Sequence, residues 1–263
     1  MAKIEGAIFD VDGVLVDSPH EKAWRNSLRE LMEGEWQGIR DHTTWSPDAF
    51  SPHVYQTEVS GKPRMSGARA ILEYFHIPDD EEESRVAEYA ERKQAMVVRL
   101  IQEGDFTAYP DALRFVITVK DGGMRIAAAS SSKNADLFLG KLRLDSFAEQ
   151  QGLSAPWIKP GLTLLGALDV DVSGRDFPHG KPDPEMFLTA AHELGVPPEH
   201  AMVLEDAEAG VQAAKAGNMA AIGIARADDA DLLASAGADI VVTSLDQVDR
   251  AALTAGRLAK NGD

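Results

Sequence analysis

Short apolar runs alternate along this chain with longer stretches in which apolar residues recur every three or four positions. The runs over residues 4–17, 125–129, 168–172, 201–204, 220–224 and 239–242 are largely continuous, the pattern of strands covered on both faces. Helical spacing marks 21–33, 67–75, 81–102, 112–121, 135–143, 185–194, 209–216 and 229–236. In the 81–102 stretch Tyr89, Met96, Leu100 and Ile101 fall on one side. Strand–helix alternation of this kind predicts an α/β fold, a doubly wound parallel-sheet (Rossmann-like) core. The alternation breaks once. Residues 19–104 read as helices around an irregular, aromatic segment over 36–59, which predicts a small helical cap domain inserted after the first strand. The expected division is a core of 1–18 with 105–263 and a cap of 19–104. Residues 148–168, with Pro156, Pro160 and several glycines, read as a long excursion.

Composition narrows the function. A chain of 263 residues is ample for a buried interior, and the absence of cysteine excludes disulfides, thiolate metal sites and cysteine nucleophiles. No apolar run reaches the roughly 18 residues that span a bilayer, and 1–6 is no signal peptide, so a cytoplasmic protein without membrane partners is expected. The net charge of -17 disfavours nucleic acid, whose backbone would meet a repulsive field. A small phosphate ester needs only local cations, which an acidic protein can supply. The oligomeric state stays open, a monomer included.

The first strand ends abruptly in Asp10-Val11-Asp12-Gly13. A turn at Gly13 lets the two carboxylates diverge at the sheet edge, one as nucleophile and the other as proton donor. A calcium loop would place a third acidic or amide residue two positions after Asp12, where this chain has Val14. The stretch from Phe9 to Ser18 resembles the first motif of the haloacid dehalogenase superfamily, in the form carried by its phosphatases and phosphomutases.

Three further strand or loop ends carry compatible groups: Ser130, Lys181, and the pair Glu205-Asp206. In a doubly wound sheet these ends converge on one face. Transfer through an aspartyl phosphate requires cations around the phosphoryl oxygens. Magnesium (Mg2+) suits the oxygen-rich set of Asp10, the Asp12 backbone carbonyl and Asp206, with Glu205 beside or behind them. Ser130 and Lys181 would bind the phosphoryl group, and Asp12 would serve as acid and base. Plainer readings exist for each: Ser130 as a helix cap, Lys181 as a solvated loop lysine, Glu205-Asp206 as charges favouring a helix amino end. Ala128-Ala129-Ser130, the Gly180-Lys181-Pro182-Asp183-Pro184 run and Leu204-Glu205-Asp206 with Ala209-Gly210 are similar to the superfamily's second, third and fourth motifs.

In the cap the resemblance narrows to the beta-phosphoglucomutase-like subgroup. His20-Glu21-Lys22-Ala23-Trp24 resembles that group's cap entry, and Gly61-Lys62-Pro63-Arg64 its phosphate-gripping loop. Lys93 falls where a cap lysine reaches the site, and Ser132, Lys133 and Asn134 fall in the distal-phosphate stretch. The resemblance implies a Mg2+-dependent phosphotransferase on a small phosphorylated sugar, with His20, Trp24, Arg64, Lys93, Ser132, Lys133 and Asn134 as substrate contacts. For His20, Arg64 and Lys93 alone, a helix cap, a surface ion pair and a solvated face remain open. A sugar-phosphate phosphatase on the same scaffold and a non-catalytic phosphosugar-binding protein are the alternatives. The chain departs from the mutase pattern in a shorter loop between Ser18 and His20 and a longer stretch between Asn134 and Lys181.

Overall fold

The computed structural model describes residues 3–59, 62–80, 82–227 and 229–262. The chain divides into two compact units, Met1–Ser18 with Thr107–Asp263, and Pro19–Phe106. No helix among the described residues is long and apolar enough to cross a membrane.

The first unit is built on six parallel strands, β1 (Gly6–Phe9), β4 (Arg125–Ala128), β5 (Val170–Asp171), β6 (Ala201–Glu205), β7 (Ala220–Ile224) and β8 (Ile240–Val242), in the order β5-β4-β1-β6-β7-β8. Winding proceeds outward from β1 on one side and then on the other, so the strand order reverses at β1. Ligand sites of open α/β sheets lie at such a reversal. Ile8 packs with Phe187, Val203 and Val211 in one buried cluster, while the Phe9 ring meets Phe115 edge-on at 6.4 Å. Both sides of β1 are therefore covered, which accounts for its unbroken apolar run.

The expected strand over 4–17 is broken. Gly13 adopts φ +82 and its N–H bonds to the Val16 carbonyl at 2.8 Å, turning the chain so that β2 (Val16–Asp17) pairs antiparallel with β3 (Thr107–Ala108) in a separate small sheet. Helices α5 (Pro110–Asp121), α6 (Ala135–Lys141), α7 (Leu144–Gln150), α8 (Leu164–Ala167), α9 (Glu185–Leu194), α10 (Glu208–Ala216), α11 (Ala230–Ser235) and α12 (Arg250–Thr254) complete the unit. Pro110 opens α5, where its missing N–H is not needed. The excursion expected over 148–168 is a clasped loop between α7 and α8. Arg143 and Thr163 bridge its base, Leu144 N–H bonds to Leu162 O at 2.9 Å, and the Thr163 hydroxyl caps α8.

The second unit is helical: α1 (His20–Glu33), α2 (Pro52–Val54), α3 (Arg64–Tyr74) and α4 (Ser84–Glu103). Trp24, Leu28, Trp36, Phe50, Phe75 and Tyr89 share its core. The Tyr89 ring stands edge-on to Trp24 at 5.0 Å and its hydroxyl donates to the Trp24 carbonyl at 2.9 Å, which satisfies a buried polar group. The helix expected from residue 81 begins at Ser84, residue 81 itself lying outside the described residues. Asp79 and Asp80 carboxylates accept from the N–H groups of Ser84, Arg85 and Val86, capping α4 from the preceding loop. Gly104, at φ 77, ends it.

Candidate active site

The carboxyl ends of β1, β4 and β6 are locked in register by backbone bonds from Asp10 N–H to Leu204 O (3.0 Å) and from Ala129 N–H to Phe9 O (2.8 Å). Polar residues that follow these strands are thereby held at one edge. Asp10, Ser130 and Glu205 are all buried, at 6%, 3% and 1% exposure. Buried charge at this cost requires partners, and Lys181 supplies them. Its ammonium donates to Asp10 Oδ1 at 2.6 Å and also to Glu205 Oε1, and lies 5.0 Å from the Phe187 ring centroid. Lys181 is thus no solvated loop lysine. Glu205 commits its other oxygen to the Ala207 N–H at 3.0 Å. Both its carboxylate oxygens are engaged within the protein, and through Oε1 it braces the lysine that holds the nucleophile.

Two glycines make these approaches possible. A Cβ on Gly210 would lie 2.0 Å from the Glu205 carboxyl, and one on Gly13 would lie 1.8 Å from Asp206 Oδ2. The Asp206 carboxylate therefore rests against the turn that follows Asp12. Burial, with Glu205 and Asp12 adding their charge against the pull of Lys181, raises Asp10 to about 7. Burial and the charges of Glu205 and Asp10 raise Asp206 to about 8. Burial alone would lower Lys181, but the two carboxylates outweigh it and hold the ammonium firmly protonated.

One lysine thus faces Asp10, Glu205 and Asp206, an excess of negative charge at the edge of the sheet. Among the described residues no three acidic or imidazole side chains form a cation cluster by themselves. Two carboxylates with a backbone carbonyl and water match what Mg2+ accepts, and a bound dication would offset both the burial of Asp10 and Asp206 and the charges of Glu205 and Asp10 that press on Asp206. The residues present fit such an ion.

The Ser130 hydroxyl accepts from Ser132 N–H at 3.1 Å, which leaves its own O–H to donate. It does not cap α6, whose N-cap is Asn134. Ser132 Oγ accepts from Asn134 N–H at 3.3 Å and Asn134 is buried, whereas Lys133 is exposed and ion-paired to Asp176. In the second unit His20 is the first residue of α1, after the N-cap Pro19. Arg64 opens α3 and lines a groove of about 460 Å3 with Glu91, Gln94 and Val98 from α4; Gly61 lies outside the described residues. Trp24 packs inside the unit at 3% exposure instead of presenting an open surface. Lys93 is not on a solvated face: it is 7% exposed, with its ammonium 5.1 Å from the Trp24 ring centroid, within cation–π range. Sequence reasoning missed Arg226, which follows β7 at the same sheet edge and binds the Gly13 carbonyl. Its signal was a cation just past the apolar run of β7.

The model of the haloacid dehalogenase-like hydrolase family matches residues 4–218. A beta-phosphoglucomutase of Mycobacterium bovis is 34% identical over 257 residues, 92% of this chain and 90% of that protein. A validoxylamine A 7'-phosphate phosphatase of Streptomyces hygroscopicus is 28% identical over 92% of this chain and 94% of its own length. Among solved structures, an archaeal beta-phosphoglucomutase from Pyrococcus superposes with a TM-score of 0.68 at 28% identity, covering 95% of this chain and 99% of that one. With this match over most of its length, the chain belongs to the haloacid dehalogenase-like hydrolase family, in its beta-phosphoglucomutase-like group, and is an enzyme.

Proposed function

We propose that this enzyme moves phosphoryl groups of small phosphorylated sugars through an aspartyl phosphate on Asp10, as a Mg2+-dependent mutase that converts a sugar 1-phosphate to the 6-phosphate. The observation that carries the reading is the buried Asp10–Lys181–Glu205 chain at the strand-order reversal, with Asp206 against the adjoining turn. Lys181 restrains the Asp10 carboxylate and brings positive charge to the arriving phosphoryl oxygens. An Asp10 oxygen attacks phosphorus as the bond to the sugar oxygen breaks, and Asp12 delivers a proton to that leaving oxygen. For return, a sugar hydroxyl gives its proton to Asp12 and takes the phosphoryl group, which regenerates the Asp10 carboxylate. Ser130 donates to a phosphoryl oxygen. Mg2+, held by Asp10, the Asp12 carbonyl and Asp206, would supply charge neutralisation at the phosphoryl group.

His20, Arg64, Lys93, Ser132, Lys133 and Asn134 are the proposed sugar-phosphate contacts, Arg64 gripping the non-reacting phosphate through its planar fork, while Trp24, enclosed in the helical unit, shelters Lys93 instead of touching substrate. The 34% identity to a beta-phosphoglucomutase supports the mutase. A phosphatase is the second reading: Lys133 is engaged by Asp176 instead of standing open for a second phosphate, and a phosphatase is among the relatives. Phosphorus NMR with Mg2+, beta-glucose 1-phosphate and catalytic glucose 1,6-bisphosphate tests the choice. Growth of glucose 6-phosphate without inorganic phosphate is expected; inorganic phosphate alone would replace the mutase by the phosphatase, and no turnover of this or other sugar phosphates would remove both.

A further inference from the structure

The turn after Asp12 is gripped by a side chain that the chemistry above does not use. Arg226 lies two residues beyond β7, and its side chain is 17% exposed. Its guanidinium forks onto Asp111, Nη1 to Oδ2 at 3.0 Å and Nη2 to Oδ1 at 3.3 Å. Nε donates to the Gly13 carbonyl at 3.2 Å and Nη2 reaches the Val14 carbonyl at 3.4 Å. The plane is completed by Tyr109, whose ring centroid is 3.8 Å from Cζ. Asp111 also accepts the Leu245 N–H at 2.8 Å, so the guanidinium is anchored from two further segments of the unit. Such a set of contacts uses the fork and the flat face together, which an ammonium cannot reproduce.

The placement of these bonds decides what they control. Asp10 is fixed by the β1 ladder and by Lys181, independently of Arg226. Asp12 has left the sheet. Its carboxylate is carried by the turn whose Gly13 and Val14 carbonyls Arg226 holds, and the same turn receives Asp206. We propose that Arg226, locked by Asp111 and Tyr109, is a positioning residue that holds the Asp12 turn in the geometry for protonating the leaving sugar oxygen. This rests on the proposed role of Asp12 as the acid.

A leaving-group comparison tests it. Cleavage of p-nitrophenyl phosphate needs the Asp10 nucleophile but expels a stabilised phenolate, which leaves without a proton; an alkoxide from a sugar phosphate requires one. Arg226→Lys and Asp111→Asn are compared with the unaltered enzyme and with Asp12→Asn, using p-nitrophenyl phosphate and beta-glucose 1-phosphate with catalytic glucose 1,6-bisphosphate. Asp111→Asn keeps an acceptor for Leu245 and loosens the grip on the guanidinium, and melting curves verify that each variant is folded. Both variants are expected to lose roughly ten- to a hundredfold in kcat on the sugar phosphate, with KM retained, and less than about threefold in the single-turnover release of p-nitrophenolate, the step that precedes the Asp12-assisted return of the phosphoryl group. Equal losses on the two substrates, or none on either, would overturn the proposal. Selective loss in Asp12→Asn without it in the other two removes Arg226 alone. An Asp12→Asn variant with no selectivity removes the acid role of Asp12 and the proposal together.

Discussion

Replacing Gly210 by alanine sets two effects against each other, and the structure says which wins. Gly210 is the third residue of α10, where helix propensity favours alanine by about 1 kcal/mol. Its new methyl, however, would fall 2.0 Å from Cδ and Oε1 of Glu205. That carboxylate is at the end of a flexible side chain, but it is fully buried and both oxygens are engaged, by Lys181 and by Ala207 N–H. It can yield only by leaving them. Breaking a buried ion pair from one side costs about 3–5 kcal/mol, so roughly 2–4 kcal/mol of destabilisation should remain after the helix gain. At 2–4 °C per kcal/mol for a unit of this size, the melting temperature should fall by roughly 5–15 °C. Because Lys181 also holds Asp10, turnover should fall at least about tenfold. Thermal melting by circular dichroism and steady-state rates read both. Gly140→Ala is the control: its methyl would meet only Leu165 Cδ2 at 3.8 Å, and it should be neutral or stabilising. A Gly210→Ala protein that melts at or above the parent temperature with full activity would refute the brace role of Glu205.

Arg64→Ala should abolish most isomer formation in the phosphorus NMR assay while sparing any release of inorganic phosphate; unchanged isomer formation would rule out a second phosphate grip at Arg64. Removing divalent cations with EDTA should suppress turnover and excess Mg2+ should restore it, and full activity after exhaustive chelation would count against the oxygen-ligand site. The Asp111 carboxyl gives a pH dependence. Burial pushes it up, but the Arg226 fork and the Leu245 N–H outweigh burial and hold it below its ordinary value. A depressed carboxyl contributes stability above its unfolded pKa of about 4 and loses it as pH falls through the folded value. The difference in urea midpoint between the parent and Asp111→Asn should therefore be constant near neutrality and shrink below about pH 4. A difference independent of pH would mean that the charge of Asp111 contributes nothing.

The parts of the fold legible in the sequence are those where one local pattern leaves one solution. β1, β6 and β7 are covered on both faces, and their apolar runs are short and unbroken. Asp10 and Glu205 were legible because each ends such a run with a charge, whereas Lys181 stands in a Gly-Lys-Pro loop and was marked by its resemblance to the superfamily's third motif. The turn at Gly13 was read as the point where the carboxylates part, but not as the end of the first sheet, because Val14, Leu15 and Val16 are fully buried and continue the apolar run. α12 has only five residues and is fixed by Asp249, which accepts from Ala251 and Ala252, a signal too short for periodicity. Lys93 could not be read as buried, since lysine rarely is and the Trp24 face that shelters it comes from another helix. The role of Arg226 was not legible for a related reason: its position past β7 marks a cation at the sheet edge, but the partners that give it a role lie 115 and 213 positions away.

The charge balance of the site ties these observations to the chemistry. Lys181 answers Asp10 and Glu205 directly, and the raised values of Asp10 and Asp206 express first their burial and then the charge of the neighbouring carboxylates. A phosphate ester brought to this edge adds further negative charge. In the proposed reading, cation and phosphate each relieve what the other would suffer alone, so binding of either must strengthen binding of the other by the same factor. An acidic protein can then select a phosphorylated sugar without a basic surface. Glu205 fits the same logic. Withdrawn behind Lys181, it keeps the ammonium charged and aimed at Asp10, so that the lysine's charge is directed to the nucleophile rather than to solvent.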